Sequence, residues 1–181
     1  MSEFFAEYFS WIQIIGYIGM AFALISYQFK KNKTYFFMQT MCAVSFSIQF
    51  AILHSWTGMF LNIFSIFRGV IFMMGDKCRK KVYLVIAEAL FLISFLLSVF
   101  VFKEAWYLSL IVFLAQVGGT LAMWTRNGKT IRIAQISFIS PLWLIYDAVN
   151  GSVGGVLCEI FNMISVIVSF FRFKKSGYDK T

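Results

Sequence analysis

Apolar runs of about twenty residues, separated by short polar breaks, divide the chain from end to end. A helix that crosses a bilayer needs about 20 mostly apolar residues. On that measure the pattern predicts seven membrane spans, over about 8–28, 34–54, 56–74, 82–102, 105–124, 131–149 and 152–172. The sixth is the most polar, with Arg132, Gln135, Ser140, Pro141 and Asp147, and its neighbours leave it no other place. The predicted fold is an all-α polytopic membrane protein with short loops and no soluble domain.

The polar breaks are not equivalent. Lys30, Lys31 and Lys33 follow span one, Lys77, Arg79, Lys80 and Lys81 follow span three, Arg126, Lys129 and Arg132 follow span five, and Arg172, Lys174, Lys175 and Lys180 follow span seven. These are 14 of the 16 basic residues, all after odd-numbered spans, leaving Lys103 on the other side and Arg68 inside span three. Cytoplasmic loops carry the Lys/Arg excess, so the N-terminus is expected outside and the C-terminus in the cytoplasm. Glu3 and Glu7 stand where a cleaved leader has lysines, which predicts a retained first helix.

Composition sharpens the class. The 181 residues are 60% hydrophobic and only 13% charged, against about 25% charged in soluble domains, so lipid is the expected solvent for most of the chain. The net charge of +8 sits in short loops rather than on one face, which excludes nucleic acid as a partner. Cys42 and Cys158 fall inside apolar runs and Cys78 in a basic loop, so neither a disulfide framework nor a zinc site is indicated.

The two halves share features at matched places. Lys33-Thr34, Gln39 and Gly58 reappear 96 residues later as Lys129-Thr130, Gln135 and Gly154. Leu61-Asn62-Ile63-Phe64-Ser65-Ile66 reappears as Phe161-Asn162-Met163-Ile164-Ser165-Val166 at a spacing of 100. Spans one to three and five to seven then form parallel repeats with span four returning the chain, a 3+1+3 layout. The corresponding units are 1–74, 75–104 and 105–181.

Trp143-Leu144-Ile145-Tyr146-Asp147, the run Gly151-Ser152-Val153-Gly154-Gly155, Glu159, Asn162 and Arg172-Phe173 together resemble the YgjV-type bacterial inner-membrane family. Gln13, Gly16 and Gly19 and the basic first loop are also similar. That resemblance implies a bacterial cytoplasmic-membrane location. The 3+1+3 layout more distantly resembles the SWEET sugar transporters and the PnuC vitamin transporters. It implies facilitated passage of a small polar solute, with Asn62 and Asn162 at the positions where an Asn of each half lines the pocket. The Pro-Gln dipeptide of the related PQ-loop proteins is absent, and the one proline lies in span six.

Polar side chains inside lipid are costly and face protein or a water-filled cavity. Gly58, Asn62, Ser65 and Gly69 follow one face of span three, and Glu159, Asn162, Ser165 and Ser169 a comparable stripe on span seven. A shared central cavity is one reading of the stripes; close packing of small and hydrogen-bonding residues is the other. Trp143 and Tyr146 are candidates for stacking a flat solute, and Asp147 is expected solvated at the outer end of span six. Arg68 and Glu88 lie at similar depths, which suggests an ion pair; the other reading has Arg68 reaching the surface alone.

Catalysis has little support: His54 is the one histidine, and no metal-ligand spacing, GxSxG or phosphate loop occurs. No enzyme activity, cofactor or metal is expected. Two classes remain. One is a carrier for a small polar solute (vitamin-, nucleoside- or sugar-like, with amines and amino-acid derivatives also open) using Asn62, Asn162, Glu159, Ser65, Ser165, Trp143 and Tyr146. The other is a receptor or assembly partner whose stripes are packing contacts. Expected partners are membrane lipid and the solute, with homo-oligomerisation left open.

Overall fold

The computed structural model describes residues 10–75 and 80–173. Glu3, Glu7, Lys77, Cys78, Arg79, Lys174, Lys175 and Lys180 lie outside the described residues. Seven helices follow in order: α1 (Trp11–Ser26), α2 (Asn32–Ile52), α3 (Trp56–Met73), α4 (Lys81–Val101), α5 (Trp106–Trp124), α6 and α7 (Val153–Phe173). Helix α6 is composite, with an α-helical turn region Gly128–Ala134, a π-helical turn Gln135–Ile139 and a second α-helical part Ser140–Val149.

Five of the seven, α2, α3, α4, α5 and α7, are long and apolar enough to cross a membrane. Two of the predicted spans differ from this. Helix α1 has 16 described residues, and α6 is divided. The division has a local cause. Pro141 has no N–H to give and its ring crowds the carbonyl four residues back, and the preceding turn widens so that the Ser140 N–H bonds Gln135 O instead. Such π turns concentrate at functional sites, and this one carries Gln135.

The helices pack in chain order, α1 on α2, α2 on α3, α5 on α6 and α6 on α7, with α7 closing back onto α1 and α3 touching α5. Helix α4 packs only on the outside of α3 and α5 among these principal contacts. Its buried residues are Ala87, Phe91, Ser94 and Ser98, while Val85, Ile93 and Phe100 on other faces are exposed. A helix that is apolar all round and buried on one strip suits a lipid-facing position.

Close contacts hold the ends. Glycine is required where α1 meets α7: a Cβ on Gly154 would lie 2.9 Å from the Gly16 Cα. Around that crossing Gln49 Nε2 donates to Gln13 Oε1 (3.0 Å), the Gly154 N–H donates to the same oxygen (3.3 Å), and Ser152 Oγ donates to Gln49 Oε1 (3.1 Å). At the opposite, basic end, Arg126 donates to Phe72 O (2.9 Å), satisfying a terminal carbonyl of α3. Arg132 does the same for Tyr27 O (2.7 Å) and Phe29 O (3.2 Å) after α1. Cations at helix C-termini are favoured by the helix dipole.

One cap comes from a distant loop. Ser55 precedes α3 without a side-chain cap bond, so the first N–H groups need another acceptor. Glu104, between α4 and α5, supplies it: its carboxylate accepts from the Trp56 N–H (2.6 Å), the Thr57 N–H (3.0 Å) and the Thr57 hydroxyl. Charge-assisted bonds at a helix N-terminus are the strong kind. Glu104→Ala is expected to cost about 2 kcal/mol, read as a lower melting temperature of the detergent-purified protein. An unchanged melting temperature would show that water replaces the carboxylate.

Candidate functional site

A central cavity lies inside the ring of six helices. Its lining comes from α1, α2, α3, α5, α6 and α7, and from no residue of α4. It holds about 90 Å³ of water-accessible space, where a single water needs about 10–15 Å³ by that measure. Lining residues on α2 run from Phe36 to Phe50, roughly 21 Å along the helix. The cavity is therefore long and narrow, with room for several waters or one small solute.

Of the residues expected at a site, Asn62, Ser65, Trp143, Glu159 and Asn162 line this cavity. Asn62 Nδ2 donates to Gly58 O (2.8 Å). Glu159 Oε2 accepts from Ser140 Oγ, from Gln135 Nε2 (3.4 Å) and from Asn162 Nδ2 (3.5 Å). Asn162 Oδ1 is buried with no hydrogen-bond partner, as is Asp147 Oδ1. Buried polar atoms in native proteins are paired as a rule, so unmatched oxygens on a cavity wall mark where a water or ligand donor belongs.

Ser165 and Tyr146 do not line the cavity. Ser165 Oγ donates to Leu24 O (3.2 Å) and accepts from Gln28 Nε2 (2.9 Å), so it joins α7 to α1. Helix geometry explains the loss. Ser165 shares a helix face with Cys158, which lines the cavity, but stands about two turns further along α7, beyond Asn162, the last α7 residue on the wall. The stripe on α7 thus runs past the cavity, and Ser169 accepts from Arg132 Nε (2.9 Å). The Tyr146 hydroxyl accepts from the Gly58 N–H (2.8 Å) and ties α6 to α3.

Asp147 is also displaced from its expected environment. It is 2% exposed and on the cavity wall, not solvated at an outer mouth. The proposed Arg68–Glu88 ion pair does not form. Arg68, 8% exposed, donates to Gln116 Oε1 (2.9 Å), Thr120 Oγ1 (2.8 Å) and Ser65 Oγ (3.3 Å), with its guanidinium 5.2 Å from the Phe91 ring. Both Glu88 oxygens lack a hydrogen-bond partner. Arg68 does not reach the surface either; it lines the cavity from α3.

Aromatic layers flank the cavity. On one side Phe50 packs on Trp143 (6.1 Å between centroids) and Tyr146 (5.8 Å). On the basic side Tyr27, Tyr35, Phe36, Phe72 and Trp124 follow one another at 5.5–6.3 Å. Trp143 packs its ring on both Phe50 and Tyr146 while also lining the cavity.

The family model Imp-YgjV, described as a bacterial inner membrane protein, matches residues 10–177. The chain belongs to this family. It is an integral, multi-pass protein of the bacterial inner membrane, in accord with its apolar helices. No curated protein and no solved structure matches it.

Several wall residues of this family member were not expected at a site. Gln39 and Gln135 both line the cavity, from α2 and α6; the sequence marked them only as repeat positions. Gln116 lines it from α5 beside Arg68. A glutamine inside an apolar span was the available signal for all three, because an amide in lipid needs a partner.

Proposed function

We propose that this protein is a facilitator-type carrier of a small polar solute, bound in the central cavity between two three-helix repeats. The repeats are α1–α3 and α5–α7, α4 connects them from outside, and the N-terminus is external with the C-terminus cytoplasmic. The observation that carries the reading is a polar cavity walled by all six repeat helices and by none of α4. Asn62 with Asn162 and Gln39 with Gln135 contribute to it from matched positions of the two repeats. Binding at the interface of repeats, midway through the helices, is how carriers of this type work. The aromatic layers at the two ends are then the barriers that open in turn. The reading involves lipid and solute as partners and includes no enzymatic step.

The test is a thermal-shift screen of the detergent-purified protein with vitamins, nucleosides, sugars, polyamines and amino acids. A ligand present at about 100 times its Kd stabilises the native state by about 2.7 kcal/mol. One solute class is expected to raise the melting temperature, and Asn162→Ala to abolish the rise. If no class does so, and Asn162→Ala and Glu159→Gln each destabilise the unliganded protein, the polar wall is packing and the carrier reading fails. Reporter fusions at the C-terminus check the topology; activity of a cytoplasm-only reporter is the expected result.

A further inference from the structure

The cavity wall has two chemically opposite poles. Arg68 is a buried guanidinium whose hydrogen bonds all go to neutral partners, and its Nε has none. No carboxylate lies within ion-pairing distance of it among the described residues. An unpaired buried cation is costly, and an incoming anion relieves that cost. The other pole has only acceptors without donors. Asn162 Oδ1 and Asp147 Oδ1 are orphaned, and the three donors around Glu159 all converge on Oε2, leaving Oε1 without a protein partner.

We infer that the central cavity takes a small zwitterion, its carboxylate at Arg68 and its ammonium among the oxygens of Glu159, Asp147 and Asn162. The inference rests on the cavity being the solute site. An ammonium brings three donors and no acceptor, which suits three unmatched oxygens, two of them carboxyl. A carboxylate brings acceptors only, which suits the free guanidinium N–H and its charge. A neutral sugar would satisfy the oxygens and leave the guanidinium with only the more distant Glu88, which makes no hydrogen bond to it, as counter-charge. A simple anion would do the reverse.

Depth fits as well. Helices α3 and α7 run in the same direction, with Arg68 twelve residues past Trp56 and Glu159 six past Val153. Arg68 leans back one turn to Ser65, as helical side chains do. Counted from the two helix starts, six residues of rise or roughly 9 Å separate the poles in depth, and both side chains lean the same way, so an amino acid hydrogen-bonded at each end spans them.

The experiment uses the full-length purified protein with L-alanine, L-serine and γ-aminobutyrate as probes. Each has analogues that lack one charge: L-alanine methyl ester has no carboxylate and N-acetyl-L-alanine no ammonium. Glucose and uridine serve as neutral probes. A zwitterion is expected to raise the melting temperature, with both blocked analogues at least tenfold weaker. Arg68→Gln is expected to weaken L-alanine at least tenfold. Glu159→Gln should do the same for L-alanine while changing N-acetyl-L-alanine less than threefold. If both variants fail to fold, the analogue series on the unmodified protein decides alone. A shift with glucose or uridine and none with zwitterions overturns this inference and leaves the carrier reading standing. Binding by nothing in either screen overturns this inference, and overturns the carrier reading too when Asn162→Ala and Glu159→Gln also destabilise the unliganded protein.

Discussion

Arg132→Ala is expected to destabilise the protein by about 4 kcal/mol, a fall in melting temperature on the order of 10 °C. The residue is 3% exposed, and its bonds run to α7, to the first turn of α6 itself and to the chain beyond α1. Nε donates to Ser169 Oγ on α7, NH1 to Gly128 O, and NH2 to Tyr27 O and Phe29 O beyond α1. Truncation leaves buried carbonyls unpaired at about 1–3 kcal/mol each. Lysine is expected to recover less than half of the loss, because one flexible ammonium cannot reproduce a planar fork of donors. Lys129 is basic too and only three residues away, but exposed, so Lys129→Ala is expected to shift the melting temperature by about 1 °C or less. Equal effects from the two substitutions would mean that only loop charge matters at this end.

Gly154→Leu is expected to cost about 3 kcal/mol or more, or to prevent accumulation of folded protein. A Cβ there would meet the Gly16 Cα and carbonyl carbon at 2.9 Å and the Tyr17 nitrogen at 3.3 Å, all backbone. Gly16 also faces the Gln49 amide, at 2.5–2.8 Å from its own Cβ position, so α1 is closely packed on α2 as well as on α7. Separating α1 from α7 would also break the Gln13 bond to the Gly154 N–H. Gly119→Ala is the comparison. Its Cβ would meet the flexible Ile139 Cδ1 at 3.3 Å and otherwise make ordinary contacts at 3.9 Å with Arg68 Nη1 and Ile139 Cγ1, and a change of about 0.5 kcal/mol or less is expected. Melting in detergent and size-exclusion homogeneity read both. A stable Gly154→Leu protein would mean that α1 and α7 are not pressed together.

Both sites show how far pattern reading reaches. The Gly151–Gly155 run was visible as more glycine than a turn requires, but not which backbone pressed on Gly154. Arg132 counted as one of fourteen cytoplasmic charges, and its role in ending α1 was invisible. Charge placement along a chain reports topology; a hydrogen bond across 105 residues reports three-dimensional neighbours. The same distinction runs through the cavity. Asn62, Ser65, Glu159 and Asn162 were legible because an amide or carboxyl in lipid must turn inward. Ser165 differs from Ser65 because matched sequence positions do not fix which neighbour a side chain meets, and Leu24 O and Gln28 take its hydroxyl. The Arg68–Glu88 pair was misjudged because equal depth on neighbouring helices does not fix azimuth, and Gln116 and Thr120 on α5 took the guanidinium instead.

The order of apolar runs by itself determined that the protein is a multi-helix membrane protein, and nearly where each helix lies, because lipid demands about 20 apolar residues and satisfied backbone bonds from every span. It also determined the family through short motifs, and which polar residues stand out inside lipid. The tertiary structure decided which of those residues share a wall, that α4 stays outside it, and that Arg68 meets no carboxylate. The reason is that hydropathy is a property of one segment, whereas rotation, crossing and partner choice depend on several helices packing at once.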